Sequence, residues 1–172
     1  LINLSKIIQD ERTKIVNRLN LEINKITSDD EQFKNLNKIC IKYEPVEINM
    51  EKANSLIREE LKRKTTLIGS HIDNVLVVDK DFSIKDFSSE GEQKLASILL
   101  KLCEYNILEE ETKNVPILLI DDITSELDSK NTELILNHIK DRSQVFITAL
   151  SELNICSGKV FKLPVSSKVV NA

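Results

Sequence analysis

Tryptophan is absent from the 172 residues, and glycine, proline and cysteine occur only three times each. The scarcity of glycine is the most informative of these. Gly69, Gly91 and Gly158 stand too far apart to form a G-x-x-x-x-G-K-[ST] stretch, the loop whose backbone amides and lysine wrap nucleotide phosphates. Cys40, Cys103 and Cys156 form no C-x-x-C pair and have no histidine-rich neighbourhood, which argues against a zinc site or a disulfide framework. They read as reduced core residues. No apolar run approaches the roughly 18 residues of a membrane span. The first dozen residues carry Lys6, Asp10, Glu11 and Arg12 where a secretory signal would be apolar. A soluble, cytoplasmic chain without a membrane partner is therefore expected. A net charge of -4 excludes coating of nucleic acid by bulk electrostatics, so any contact with DNA must be local or shared with a larger assembly.

What remains is a chain with 41% apolar residues, enough for one real core. From residue 1 to about 26, Leu1, Leu4, Ile8, Ile15, Leu19, Ile23 and Ile26 mark one helix with a single apolar stripe. Glu11 and Arg18 would interrupt a heptad seam, so the helix is expected to lie against a neighbour or form a short arm, and not a long coiled coil. Ile39, Ile41 and Tyr43 alternate as in a strand, and 50–64 returns to helix with Leu56, Ile57 and Leu61 inward. Two β-rich runs follow, at 66–68 and 75–78, with Lys80-Asp81 as a turn before Phe82. Beyond Phe87 the pattern predicts a helix over 91–107, a linker through Glu109-Glu110-Glu111, a strand over 115–120, a helix over 129–140, a strand over 144–148 and a last strand near 160–163. Strands alternating with helices predict an α/β fold with a mostly parallel, doubly covered sheet.

Chemistry concentrates in three places. In PILLIDDITSELD, residues 116–128, a buried strand ends in Asp121-Asp122. This delivers two carboxylates to the carboxyl edge of the sheet, where open α/β folds bind ligands. There one carboxylate can hold Mg²⁺ through water and its neighbour can orient or deprotonate an attacking water. The same pair also suits a simple turn. Ser125-Glu126-Leu127-Asp128 then leads into a helix that Asp128 or Ser129 can cap. Upstream, Ser88-Ser89-Glu90-Gly91-Glu92-Gln93 opens a helix. Its exposed amides, hydroxyl and glycine suit an anion, and Ser89 with Glu92 equally suits a capping box.

The order of these elements, Ser-x-Gly-x-Gln, then strand-Asp-Asp, then Ser-Glu-Leu-Asp, then a strand ending in Thr148, resembles the RecF family of ATPases, related to the ABC and SMC proteins. The resemblance is closest over 87–150 and corresponds to the carboxyl-terminal half. It implies part of an ABC-type P-loop NTPase head over 65–172, with 1–64 as a segment of a helical arm. It also implies that Ser89, Gly91 and Gln93 form a signature reaching the γ-phosphate of ATP held by another subunit. Asp121 becomes the Mg²⁺ ligand, Asp122 the catalytic-base position, Asp128 a D-loop residue at a dimer interface, and Thr148 the switch position. The implied partners are single-stranded or gapped DNA, a second copy in an ATP-dependent homodimer, and recombination mediator proteins. The implied roles are repair, replication, recombination and the SOS response.

Departures from the family accompany this. Gly69-Ser70-His71-Ile72-Asp73-Asn74 stands where the family has Gly-Pro-His-Arg-Asp-Asp, so Ile72 replaces an arginine and His71 reads equally as an ordinary loop histidine. Glu92 replaces a glutamine and adds negative charge near the phosphate site. With no phosphate loop in the chain, hydrolysis is expected only when an amino-terminal half completes the site. The alternative is a non-catalytic remnant of a truncated or split gene that acts by pairing. Two basic groups, Arg12, Lys14 and Arg18, and Arg58, Lys62, Arg63 and Lys64, are candidates for DNA contact, although acids dilute both and no aromatic platform is interleaved.

Overall fold

A computed structural model describes residues 2–29, 33, 36, 38–125, 127–140, 144–151, 153 and 158–162. Leu1, Glu126, Cys156 and Leu163 lie outside the described residues. In chain order the elements are α1 (Ile2–Asp29), β1 (Ile39–Glu44), α2 (Met50–Arg63), a single 3-10 turn (Ser70–Ile72), β2 (Asn74–Asp79), β3 (Phe82–Ser83), α3 (Ile84–Phe87), α4 (Glu90–Thr112), β4 (Leu118–Ile120), α5 (Ser129–Ile139) and β5 (Val145–Ile147). β1, β2 and β3 form an antiparallel sheet in that order, and β4 and β5 form a parallel pair.

The buried side of α1 differs from the expected stripe. In its amino half Leu4, Ile8 and Ile15 are exposed while Ser5 and Val16 are buried; in its carboxyl half Ile23 and Ile26 are buried as expected, with Glu22 beside them. Gln9 and Arg12, half-buried on the same side as Ser5 and Val16, are spaced at three and four residues along the helix. Polar residues enter this seam because a buried acid waits for them. Asp73, its side chain fully enclosed, accepts from Gln9 Nε2 at 2.8 Å, Arg12 Nη1 at 2.9 Å, the Val46 amide at 2.9 Å and the Tyr43 hydroxyl. Arg12 also donates to the Ser70 carbonyl. The amino half of α1 is thus fastened to the loop before β2, and an apolar-periodicity argument cannot find that seam.

α4 runs five residues beyond its expected end. Glu109, Glu110 and Glu111 are helical and not a linker, because nothing before Pro116 breaks the helix; it closes at Lys113, which has φ 56° and donates its amide to the Glu109 carbonyl. The acids of that last turn serve packing. Arg18 of α1 pairs with Glu110 at 3.2 Å and with Glu111, and Asn106 donates to Glu22 at 3.2 Å. The β1–β2 ladder, Ile39↔Asp79 through Glu44↔Asn74, and the contact of α1 with α4 both join residues 1–64 to residues 65–172.

Three further expectations are corrected. No residue of α2 is buried; Ile57 and Leu61 face solvent, and no described element covers them. Residues 66–68 form no strand. Glu60 competes for the backbone there, its carbonyl accepting from the Thr65 amide and its carboxylate from the Leu67 amide, which draws the segment back onto the end of α2. Val160, Phe161 and Lys162 are exposed and belong to no sheet, so the described part of 160–163 forms no strand.

The core gathers Ile23 and Ile26 of α1, Leu95, Leu99, Leu102 and Cys103 of α4, Leu118 of β4, Ile123, and Leu134 and Ile135 of α5. Burial, with the Glu22 carboxylate nearby, pushes the Cys103 thiol up to about 12. A thiol reagent at mildly alkaline pH is expected to leave Cys103 unmodified in the folded chain and to label it only in denaturant. Equal labelling rates in both conditions would show that the α4 core is open. No helix among the described residues is long and apolar enough to cross a membrane.

Candidate functional site at the carboxyl edge of the parallel pair

β4 is short because Pro116 has no amide to donate, and pairing begins only where the Leu118 amide reaches the Gln144 carbonyl at 3.1 Å. The register Leu118↔Val145, Leu119↔Phe146, Ile120↔Ile147 then brings Asp121 beside Thr148. Thr148 Oγ1 donates to Asp121 Oδ1 at 2.5 Å and accepts from the Asp122 amide at 2.7 Å. Backbone bonds flank this bridge, Thr148 N to Ile120 O at 3.0 Å and Ile123 N to Thr148 O at 3.1 Å. One hydroxyl therefore orients the first carboxylate and fixes the backbone of the second.

Asp122 has φ 46°, in the left-handed region that aspartate and asparagine tolerate better than most residues. Its carboxylate turns back into its own loop, where Oδ1 accepts from the Ser125 amide at 3.3 Å and the Thr124 hydroxyl at 3.4 Å. Asp128 stands apart as the N-cap of α5, accepting from the Asn131 amide at 2.7 Å.

At the start of α4, Ser89 is the N-cap within a complete capping box. Glu92 Oε2 accepts from the Ser89 amide at 2.8 Å and from its hydroxyl at 3.0 Å. These two bonds, the amide first, hold the Glu92 carboxyl below its ordinary value. The local donors of Ser89 are thus satisfied by a carboxylate of the same helix. Gly91 lies in the first turn, and Gln93 Nε2 reaches back to the carbonyls of Ser88 at 3.0 Å and Lys85 at 3.3 Å.

Lys94 joins the two regions. Its ammonium donates to the Asp122 carbonyl and to Ser125 Oγ, each at 2.7 Å. Apart from its place directly after Gln93, nothing in the sequence separates this lysine from the other lysines. The structure therefore unites Asp121, Asp122 and Thr148, and ties them through Lys94 to the helix bearing Ser89, Gly91 and Gln93. Among the described residues no cluster of three or more metal-ligating side chains occurs, so a metal ion here would rest on few protein ligands.

His71 sits in the 3-10 turn, its Nε2 3.1 Å from the Thr66 carbonyl. Gly69, at φ 147°, holds a backbone conformation that residues with side chains rarely adopt, and a Cβ there would lie 2.9 Å from His71 Nδ1 and force that ring to shift. The basic groups considered for DNA have internal partners in several cases: Arg12 with Asp73, Lys14 with Glu11, Arg18 with Glu110 and Glu111, and Arg63 with Glu59.

This α/β fold is similar to part of the fold of solved RecF structures. Over 87% of its length the chain matches 44% of a solved structure of the recombination mediator protein RecF-ATP in the RecFOR pathway, with a TM-score of 0.66 and 22% identity. A second solved structure, of RecF-ATPrS, matches with a TM-score of 0.64. In sequence, too, it is RecF that the chain resembles. It is 36% identical over 106 residues to the DNA replication and repair protein RecF of Listeria monocytogenes serotype 4b (strain CLIP80459), covering 62% of this chain and 29% of that protein. To RecF of Lactobacillus johnsonii it is 38% identical over 105 residues, covering 61% of this chain and 28% of the relative. The matched stretch spans less than a third of these relatives' length. No protein-family model matches the chain.

Proposed function

We propose that this chain supplies the signature helix, the Walker B strand and the D-loop of a RecF-like ATPase head that binds DNA in an ATP-dependent, dimeric state. The observation that carries this reading is the Asp121–Thr148–Asp122 arrangement at the carboxyl edge of a parallel pair. Asp121 presents a carboxylate at the sheet edge with one oxygen held by Thr148. Asp122 needs only a side-chain rotation, giving up two long contacts, to meet an attacking water. ATP with Mg²⁺ would supply the scissile phosphate and its charge neutralisation. Asp121 would be the metal's protein ligand, Ser89, Gly91 and Gln93 would face a nucleotide held by the opposite head, and Asp128 would lie where the two heads meet.

The phosphate loop must come from elsewhere, since no such stretch occurs in these residues. The outer face of the parallel pair suits a covering partner. Leu119 is 72% exposed and Phe146 55%, with Ile117 alongside, an apolar strip of the kind that interior sheets bury. In this reading 65–172 belong to the head and 1–64 to an arm-like segment. Repair and recombination at single-strand gaps, with mediator proteins as partners in the cytoplasm, follow from the likeness to RecF.

The test is reconstitution. The 172-residue chain mixed with a phosphate-loop-bearing amino-terminal portion of a RecF protein is expected to hydrolyse ATP in a DNA-stimulated manner, while each part alone is inactive. Stable association without turnover would instead favour a non-catalytic pairing module. Glu92 gives this alternative its physical basis, because its carboxylate occupies the Ser89 donors and repels phosphate. In the reconstituted system Glu92→Gln is expected to lower the apparent KM for ATP about two- to five-fold, the scale of a charge at a helix amino terminus. An unchanged KM would place Ser89 away from the nucleotide.

A further inference from the structure

We propose that Lys94 is a positioning residue that couples the first turns of α4 to the loop carrying Asp122. This rests on the reading of the site given above.

The geometry is specific. Lys94 is half-buried on α4, five residues after Ser89 and immediately after Gln93. Its ammonium binds both ends of one turn, the Asp122 carbonyl and the Ser125 hydroxyl, at 2.7 Å each. That turn contains the left-handed Asp122, a conformation that costs free energy and persists only when its surroundings hold it. Among the described residues, two long contacts, at 3.3 and 3.4 Å, fix the Asp122 carboxylate itself. The charge-assisted bonds from Lys94 are therefore the stronger restraint on the loop, and they originate on the helix that presents Ser89 and Gly91. A displacement of that helix on engaging phosphate is transmitted through the lysine to the Asp122 backbone, whose amide is anchored on Thr148 directly after β5. The Asp122 side chain is thereby released from or returned to its loop according to the state of α4. Neither a solvated lysine nor a purely apolar contact would link the two elements in this way.

The experiment compares Lys94→Met and Lys94→Arg with the unaltered 172-residue chain. Amide hydrogen exchange in the chain alone is expected to accelerate about tenfold or more at Ile123 and Ser125 in Lys94→Met, with the interior of α4 and β4 unchanged. Lys94→Arg, which keeps a donor for both oxygens, is expected to restore much of the protection. In the reconstituted ATPase, Lys94→Met should lower kcat about tenfold or more with little change in the KM for ATP, and Lys94→Arg should recover most of the rate. Unchanged exchange at Ile123 and Ser125 would overturn the proposal, and so would acceleration throughout α4, since that marks a general packing role. An equal loss of kcat in both variants would also overturn it. If the unaltered mixture shows no ATPase activity, the functional reading fails, while the exchange data still decide whether Lys94 holds the loop.

Discussion

Replacing Asp73 with alanine is expected to lower the stability of the folded chain by roughly 2–4 kcal/mol, among the larger effects available to a single substitution here. The carboxylate is fully enclosed and accepts from Gln9, Arg12, Tyr43 and the Val46 amide, so its removal leaves a cluster of donors on α1, β1 and the following loop without their acceptor. Arg12 contributes least to that figure, because its side chain is 41% exposed and water takes over its solvation. The orphaned Val46 amide and Tyr43 hydroxyl account for most of the cost. The substitution Asp73→Asn, which leaves one acceptor oxygen and turns an amino group toward other donors, should be intermediate. The same group makes stability depend on acid. Burial pushes the Asp73 carboxyl up, but hydrogen bonds from Tyr43, Val46, Gln9 and Arg12 outweigh it and hold the group below its ordinary value. Its contribution is therefore complete above an unfolded-state value of about 3.9 and is lost as pH falls through the lower folded value. Denaturant titrations from pH 7 down to pH 3 check both points. A wild-type acid limb steeper than that of Asp73→Asn supports the assignment, and parallel limbs would refute it.

Asp73 also shows what kind of information a sequence hides. Its segment, Gly69 to Asn74, is noticeable in the sequence as a damaged motif, yet the partners that give the aspartate its weight come from residues 9, 12, 43 and 46. Gln9 and Arg12 turn inward to meet that acid, so the apolar stripe, right at Ile23 and Ile26, selects the wrong side in the amino half of α1 at Leu4, Ile8 and Ile15. Elements with strong local signals were legible. Ser89-x-x-Glu92 and Asp128 announced the starts of α4 and α5, and Pro116 with the apolar run after it announced β4. Ends were less so, since the last turn of α4 is settled by Glu110 and Glu111 meeting Arg18 across 92 or more residues of chain. At the site, Asp121 and Thr148 could be nominated singly, but the hydroxyl bridge between them follows from a parallel register that only the folded chain specifies. Lys94 lay beyond reach for the same reason: its two acceptors are 28 and 31 residues away.

In the reconstituted ATPase, Asp122→Asn is expected to lower kcat by about 10²–10⁴, the usual contribution of a positioned general base. This substitution is informative because so little else should change. The structural bonds of Asp122 are made by its backbone, the amide to Thr148 Oγ1 and the carbonyl to Lys94 Nζ, and asparagine keeps both. The weak acceptor role of Oδ1 toward Ser125 and Thr124 is also available to an amide oxygen, and asparagine tolerates φ 46° at least as well as aspartate. The denaturation midpoint should therefore match the unaltered chain, and the KM for ATP should move little, since the substitution removes a proton acceptor and not a phosphate contact. Asp121→Asn offers the contrast. Its carboxylate faces the sheet edge with Thr148 on one oxygen, so loss of charge there should raise the Mg²⁺ concentration needed for half-maximal rate. A variant Asp122→Asn that retains a rate within about twofold of the unaltered mixture would remove Asp122 from the base position. Turnover by the 172-residue chain alone, abolished by the same substitution, would show instead that no second half is needed and that the composite-site reading is wrong.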